Sequence, residues 1–120
     1  MAQQPPRWQV NREKVKSTVP QLIDYTEKVL FGDVWERPGL SKRDRSLITI
    51  AALVALGRRD QLPGHLERGT GNGLSKTEIS ELITHLAFYS GWPTAMTAAR
   101  CSRSASPSPP SPPRCSPWPP

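Results

Sequence analysis

The last twenty residues of this 120-residue chain limit how much of it can fold. Proline and serine fill 14 of the 20 positions from Cys101 to Pro120. Such a segment cannot bury enough apolar surface to offset the conformational entropy that it would lose on ordering. We therefore expect a disordered tail over 101–120, a flexible N-terminus over 1–11 and a single folded domain over 12–100. A domain this small gains buried surface by forming an oligomer.

The tail has two interpretations. Ala95, Met96, Ala98 and Ala99 have the composition of the first two turns of a longer helix, and the composition then changes within two residues. The tail is either a native disordered extension or the product of a reading-frame shift that replaced a C-terminal helix. In the second case the subunit interface would be incomplete and activity would suffer. Resequencing the gene across Ala99 separates the two interpretations.

The sequence has no feature of a membrane or exported protein. The longest apolar run, from Leu47 to Leu56, is too short to cross a bilayer. The first ten residues, MAQQPPRWQV, lack the apolar centre of a signal peptide. We therefore expect a cytoplasmic protein with no membrane partner.

Cysteine and histidine usage argues against disulfide and metal chemistry. The two cysteines, Cys101 and Cys115, both lie in the Pro/Ser-rich tail, so we expect no disulfide framework. The two histidines, His65 and His85, have no third core ligand at a suitable spacing. We expect no metal site.

Apolar spacing and cap signals predict an all-α fold of about five helices. Ser41 is placed to cap the amide three residues later, and Ser75 with Glu78 has the pattern of a capping box. The segment from Arg43 to Leu56 is apolar nearly all round after its first turn, which is typical of a buried central helix. The predicted helices cover 12–31 with a break near Pro20, 43–56, 60–71, 76–90 and 93–100.

Two stretches and the short link between them resemble a known family. They are VWERPGLSKRDRSLITIAALVALGR (34–58) and LPGHLERGTGNGLSKTEISELITHLAFYSGWPTAMTAA (62–99). A G-L-x-x-x-x-R-S-L helix start, a single His, N-G-L-x-x-x-E-I-x-E and H-L-A-F-Y-x-G-W-P together resemble the carboxymuconolactone decarboxylase family of alkylhydroperoxidase D-like proteins, over residues 20–99. The resemblance implies a small all-helical protein that assembles into homo-trimers or homo-hexamers.

The resembling family contains two chemistries. The alkylhydroperoxidase D branch carries C-x-x-C-x-x-x-H with an upstream Glu, and aligning that His with His65 places Arg58 and Gln61 at the two cysteine positions and Ser46 near the Glu. Without a thiol in the folded domain, the thiol peroxidase mechanism has no nucleophile. The decarboxylase branch needs no cofactor. The resemblance therefore implies cofactor-free decarboxylation of 4-carboxymuconolactone, or of a related lactone acid, in aromatic-compound catabolism.

Two residues are the candidate catalytic groups of that reaction. His65 would donate the proton or stabilise the oxyanion, because its ordinary pKa lies near working pH. Arg45 would bind a substrate carboxylate, because the helix dipole does not favour a cation at a helix start. Each residue also has a purely structural interpretation. His65 could be a core histidine that is hydrogen-bonded to a carbonyl. Arg45 could form an ion pair with Glu36, Asp44 or Glu81.

Five further residues are candidates to line the substrate pocket. The aromatic candidates are at least as consistent with a position in the core or at a subunit interface. His85 shares a helix face with Tyr89. Arg58 follows the C-terminus of a helix, and the helix dipole explains a cation there equally well. The candidates are Trp35, Arg58, His85, Tyr89 and Trp92.

Two other functions compete with the decarboxylase. One is an antioxidant protein of the peroxiredoxin or alkylhydroperoxidase type, and the other is a non-catalytic helical binding module. The net charge of +6 raises the question of nucleic acid. However, the basic residues are scattered and no recognition helix is evident, so we expect no nucleic-acid partner. The expected ligand is a small-molecule carboxylate or lactone.

Overall fold

The computed structural model describes the backbone of residues 7–104 and the side chains of 11–102, and this part of the chain folds into helices without a strand. The all-α prediction is confirmed, with six α-helices in place of about five. A π-helical segment, Thr26–Phe31, and a short 3-10 turn, Val34–Glu36, lie between the second and third. The α-helices are α1 (Arg7–Thr18), α2 (Pro20–Tyr25), α3 (Lys42–Ala55), α4 (Leu62–Gly71), α5 (Lys76–Ser90) and α6 (Trp92–Ser104).

The predicted helix over 12–31 is divided into α1, α2 and the π-helical segment. The division falls at Pro20, which takes the first position of α2. A residue before proline avoids the α conformation, so Val19 separates the two helices. The chain is also helical from Arg7, inside the N-terminal segment expected to be flexible.

The last helix is longer than predicted. α6 runs to Ser104 rather than ending near residue 100. Cys101, expected in a disordered tail, instead lies on α6 and is only 8% exposed. Its helical neighbours Ala95 and Ala98 share its buried face, and this extends the core by one turn. The rest of the expected tail, 105–120, and residues 1–6 lie outside the described residues.

The helix caps form as the sequence predicts. The Asp44 backbone N–H donates to Ser41 Oγ over 3.1 Å at the start of α3. At the start of α5, the Glu78 N–H donates to Ser75 Oγ over 3.0 Å, while the Ser75 N–H donates to Glu78 Oε1 over 3.3 Å. These reciprocal bonds satisfy amides that have no partner inside the helix.

The hydrophobic core lies among the last four helices. α3 packs against α4, α5 and α6, and α4 packs against α6. α1, α2 and the π-helical segment form an N-terminal arm, within which Ile23 is buried. The core side chains are Ile50, Val54, Leu62, Leu66, Leu74, Ile79, Ile83, Ala87, Ala95, Ala98 and Cys101.

α3 is less buried than its sequence predicts. One stripe, Ser46, Ile50 and Val54, is buried against the neighbouring helices. Ile48 and Leu56 are 54% and 66% exposed. Leu47 and Leu53, beside this stripe, are partly buried against the core, so the exposed apolar surface of this segment is at Ile48 and Leu56.

Within residues 7–104, no helix combines the length and the apolar content that a bilayer span requires.

The capping box of α5 gives a stability prediction. Ser75→Ala removes the side-chain acceptor of the Glu78 amide, and the expected loss is about 1 kcal/mol in the free energy of unfolding. The measurement is urea denaturation followed by circular dichroism. Ser80→Ala, an exposed change within the same helix, is the control and should leave stability within about 0.5 kcal/mol of the parent. Equal stability of the parent and Ser75→Ala would contradict a stabilising cap.

Candidate functional site

A cavity of about 580 Å³ opens between the N-terminal arm and α4. One wall comes from α4, through Gly64, His65 and Arg68, and the opposite side is formed partly by Arg12 of α1 and Phe31 of the π-helical segment. α4 divides its faces between two roles. Its stripe of Leu62, Leu66 and Gly69 is buried in the core, while the positions between them turn toward the cavity.

His65 has the environment expected of a functional histidine. Its Nδ1 is shielded from solvent and has no hydrogen-bond partner among the described residues, so the plainer interpretation of a carbonyl-bonded core histidine is not supported at that atom. This leaves Nε2 as the ring nitrogen available to a ligand. The ring stacks on Trp35, with centroids 6.2 Å apart and planes 27° from parallel.

The surroundings of His65 favour its neutral form. Burial lowers its pKa below the usual 6.5, and the positive charge of Arg68 lowers it further. The neutral imidazole therefore predominates at neutral pH. A neutral ring carries one N–H donor and one nitrogen acceptor, so it can hydrogen-bond to an oxyanion or exchange a proton with a ligand.

Arg68 is a cavity residue that the sequence analysis missed. Its guanidinium carbon lies 4.1 Å from the centroid of the Phe31 ring and 5.6 Å from that of Trp35. Both distances are within the range of a cation–π contact. The signal that identifies Arg68 is its position three residues after His65, which places both side chains on one face of α4.

Arg45 does not line the cavity. Its Nη2 donates to the Arg37 carbonyl over 3.0 Å, and its Nε is buried without a partner in the described part of the chain. No ion pair of Arg45 with Glu36, Asp44 or Glu81 forms in the described part of the chain, where Glu36 pairs with Lys42 and Asp44 with Arg43. Arg45 therefore tethers the loop before α3.

None of the five pocket candidates lines the cavity, although Trp35 contacts His65, which does. Trp35 is buried behind His65. His85 and Tyr89 share a face as predicted, with ring centroids 4.8 Å apart, but that face of α5 is exposed. The Trp92 ring meets the Phe88 ring edge-on, with ring centroids 5.7 Å apart. Arg58 follows the end of α3 and is exposed.

Two polar contacts fix the cavity walls. Asn72, at the end of α4, lines the cavity and donates through Nδ2 to Ser46 Oγ over 2.9 Å. Ser46 is fully buried, so this bond ties the end of α4 to α3. On the opposite wall, Arg12 Nη2 lies 2.8 Å from Glu27 Oε1 and links α1 to the π-helical segment.

The side chains typical of metal sites are dispersed. Across residues 7–104 no three His, Cys, Asp or Glu side chains lie close enough to hold a metal ion.

The sequence matches known proteins along most of its length. A sequence model of the carboxymuconolactone decarboxylase family matches residues 20–103. A 4-carboxymuconolactone decarboxylase from Acinetobacter baylyi is 45% identical over 91 residues, which cover 74% of this chain and 68% of that protein.

Two further relatives are more distant. The nitrosuccinic acid decarboxylase npaB of Metarhizium robertsii is 35% identical over 68 residues, which cover 57% of this chain and 48% of the relative, so the match spans about half of the relative's length. An uncharacterized 15.0 kDa protein in the nqo9-nqo10 intergenic region of Paracoccus denitrificans is 31% identical over 94 residues, covering 77% of this chain and 68% of that protein.

The lowered pKa of His65 predicts a pH dependence of stability. The unfolded chain binds a proton at this residue near pH 6.5, whereas the folded chain binds it only at lower pH. The free energy of unfolding should therefore fall as the pH decreases below 6.5, and the loss should level off once the folded state is protonated too. Urea denaturation between pH 7.5 and pH 5, about the range where histidine titrates, should show a shallower dependence for His65→Gln than for the parent.

Ser80→Ala is the control, because it changes an exposed residue that does not titrate. It should reproduce the pH dependence of the parent. If His65→Gln and the parent lost stability equally, His65 would have the same proton affinity in both states, contrary to its placement.

Proposed function

The chain belongs to the carboxymuconolactone decarboxylase family, and from this membership and the cavity around His65 we propose that it decarboxylates 4-carboxymuconolactone, or a closely related lactone acid, without a cofactor. Two of its relatives are named decarboxylases, which supports a carboxy-lyase kind of activity. The observation that carries the proposal is His65, a neutral imidazole at the wall of the cavity with Nδ1 shielded from solvent. A role in aromatic-compound catabolism follows from this substrate class.

The reaction requires a place for developing negative charge. The substrate carries the departing carboxylate on a ring carbon that is conjugated, through a C=C bond, with the lactone carbonyl. When the C–C bond to the carboxylate breaks, CO2 leaves and the electron pair spreads through the ring onto the carbonyl oxygen. A proton then adds to the ring carbon next to that carbonyl. The protein therefore has to stabilise an oxyanion and allow one protonation.

His65 is suited to both tasks. As a neutral ring it can donate an N–H hydrogen bond to the lactone carbonyl oxygen. Because the ring stacks on Trp35, it needs little reorientation to make this bond. In its other tautomer, with the hydrogen on Nδ1, the ring can bind a solvent proton at Nε2, the nitrogen available to the ligand, and give that proton to the ring carbon. Burial strengthens both interactions, because a shielded environment screens charge less than water does.

No specific observation favours the thiol peroxidase alternative. Cys101, the cysteine that falls within the described residues, is buried on α6 and does not line the cavity. At the two positions aligned with the peroxidase cysteines stand Arg58 and Gln61.

The proposal is tested by CO2 release from 4-carboxymuconolactone with the purified full-length chain. His65→Ala should lower kcat by about 100-fold or more, which is the usual loss when an acid–base group or oxyanion donor is removed. Ser80→Ala, which changes an exposed residue outside the cavity, should retain the parent rate. Absence of CO2 release by the parent would reject this substrate, and an unchanged rate in His65→Ala would reject the role of His65.

We also propose that the chain works as a homo-trimer or homo-hexamer. Phe88 and Tyr89 at the end of α5 are 76% and 78% exposed, and Trp92 and Met96 of α6 continue the same apolar region. Monomeric proteins rarely expose contiguous apolar patches of large side chains. A second copy of the chain is the occupant that the small core favours.

Light scattering after size-exclusion chromatography tests the assembly. The parent should elute as a trimer or hexamer at micromolar concentration, and Phe88→Glu should shift it to smaller species because a charge cannot be buried unpaired. Ser80→Glu places the same charge at another exposed position of α5 and should leave the assembly intact. A monomeric parent would contradict the proposal.

A further inference from the structure

Arg68 is a cation of the cavity without a carboxylate partner. Arg12, which lines the same cavity, is held by Glu27 at 2.8 Å. Asp60 and Glu67 are cavity residues too, yet neither forms an ion pair with Arg68, and no carboxylate in the described side chains does. The positive charge of Arg68 is therefore available to an anion that enters the cavity.

The aromatic residues under Arg68 support the guanidinium from one side. Its carbon lies 4.1 Å above Phe31 and 5.6 Å from the centre of Trp35. A guanidinium stacked on a ring presents its N–H donors at its edge, where they match the two oxygens of a carboxylate. Because Trp35 also stacks on His65, one aromatic side chain positions both polar groups.

We propose that Arg68, and not Arg45, binds the carboxylate that the substrate keeps. The inference rests on the proposed function. Binding the departing carboxylate would stabilise the ground state and oppose CO2 loss, whereas holding the retained one orients the lactone ring beside His65. Arg45 is unsuited to this task, since its guanidinium already donates to the Arg37 carbonyl and lies outside the cavity lining.

The experiment separates binding of this carboxylate from turnover. The probe is a butenolide that bears one acetic acid side chain and lacks the departing carboxylate, and its methyl ester is the uncharged comparison. Isothermal titration calorimetry measures both ligands against the full-length parent, Arg68→Gln, Arg68→Lys and Arg45→Gln. CO2 release from 4-carboxymuconolactone is recorded for the same proteins.

The parent should bind the acid more tightly than the ester. Arg68→Gln should weaken binding of the acid by about tenfold or more, the range for one lost charge-assisted pair, and leave binding of the ester unchanged. Arg68→Lys should restore part of the loss, because it keeps the charge without the planar fork. Arg45→Gln should bind the acid like the parent. In turnover, Arg68→Gln should raise KM more than it lowers kcat.

The inference is overturned if Arg68→Gln binds the acid as the parent does, if it loses acid and ester equally, or if the parent binds neither ligand. Its failure is distinct from that of the proposed function. A parent that releases CO2 with an Arg68→Gln variant of unchanged KM retains the function and rejects the inference. A parent that binds the acid through Arg68 without releasing CO2 retains the inference and rejects the function.

Discussion

The close approach of α4 to α3 at Gly69 is the contact on which the cavity depends. A Cβ at this position would lie 2.8 Å from Ile50 Cδ1 and 3.0 Å from Leu74 Cδ1, so the helix can sit this close only with glycine or with movement of both side chains. The Ser46–Asn72 hydrogen bond fixes the end of α4 on the same partner helix. Because its buried face is held in this way, the orientation of α4 about its own axis is fixed. In that orientation its other face turns His65 and Arg68 toward the N-terminal arm.

Local signals predicted the helices where they were strong. Ser41 and the Ser75–Glu78 pair marked the starts of α3 and α5, because a cap satisfies amides within a few residues and needs no tertiary context. The arm and the last turn of α6 were harder to predict. A π-helical segment has no sequence signature that periodicity detects, and the polar composition after residue 100 concealed the buried Cys101.

Of the seven candidate site residues, His65 lines the cavity and the other six do not. His65 stands out in the sequence because a single histidine on a short apolar helix face is conspicuous, and in the structure its ring stacks on Trp35. Arg45 was chosen from the helix dipole, a local argument that could not reveal the Arg37 carbonyl eight positions earlier as its acceptor. The spacing of three residues from His65 places Arg68 on the cavity face of α4, but its contact with Phe31, 37 positions away in the sequence, cannot be derived from spacing.

The juxtaposition of His65 and Arg68 links ligand binding to proton chemistry. The charge of Arg68 is one of the two causes that lower the pKa of His65, the larger being burial. A carboxylate bound to Arg68 would neutralise this charge, and the loss of this cause would raise the pKa of His65. The bound ligand would also shield the His65 ring further from solvent, which would lower the pKa. Since burial is already the larger of the two causes, the two effects oppose each other, and the charge of Arg68 makes the protonation of His65 depend on what the cavity holds.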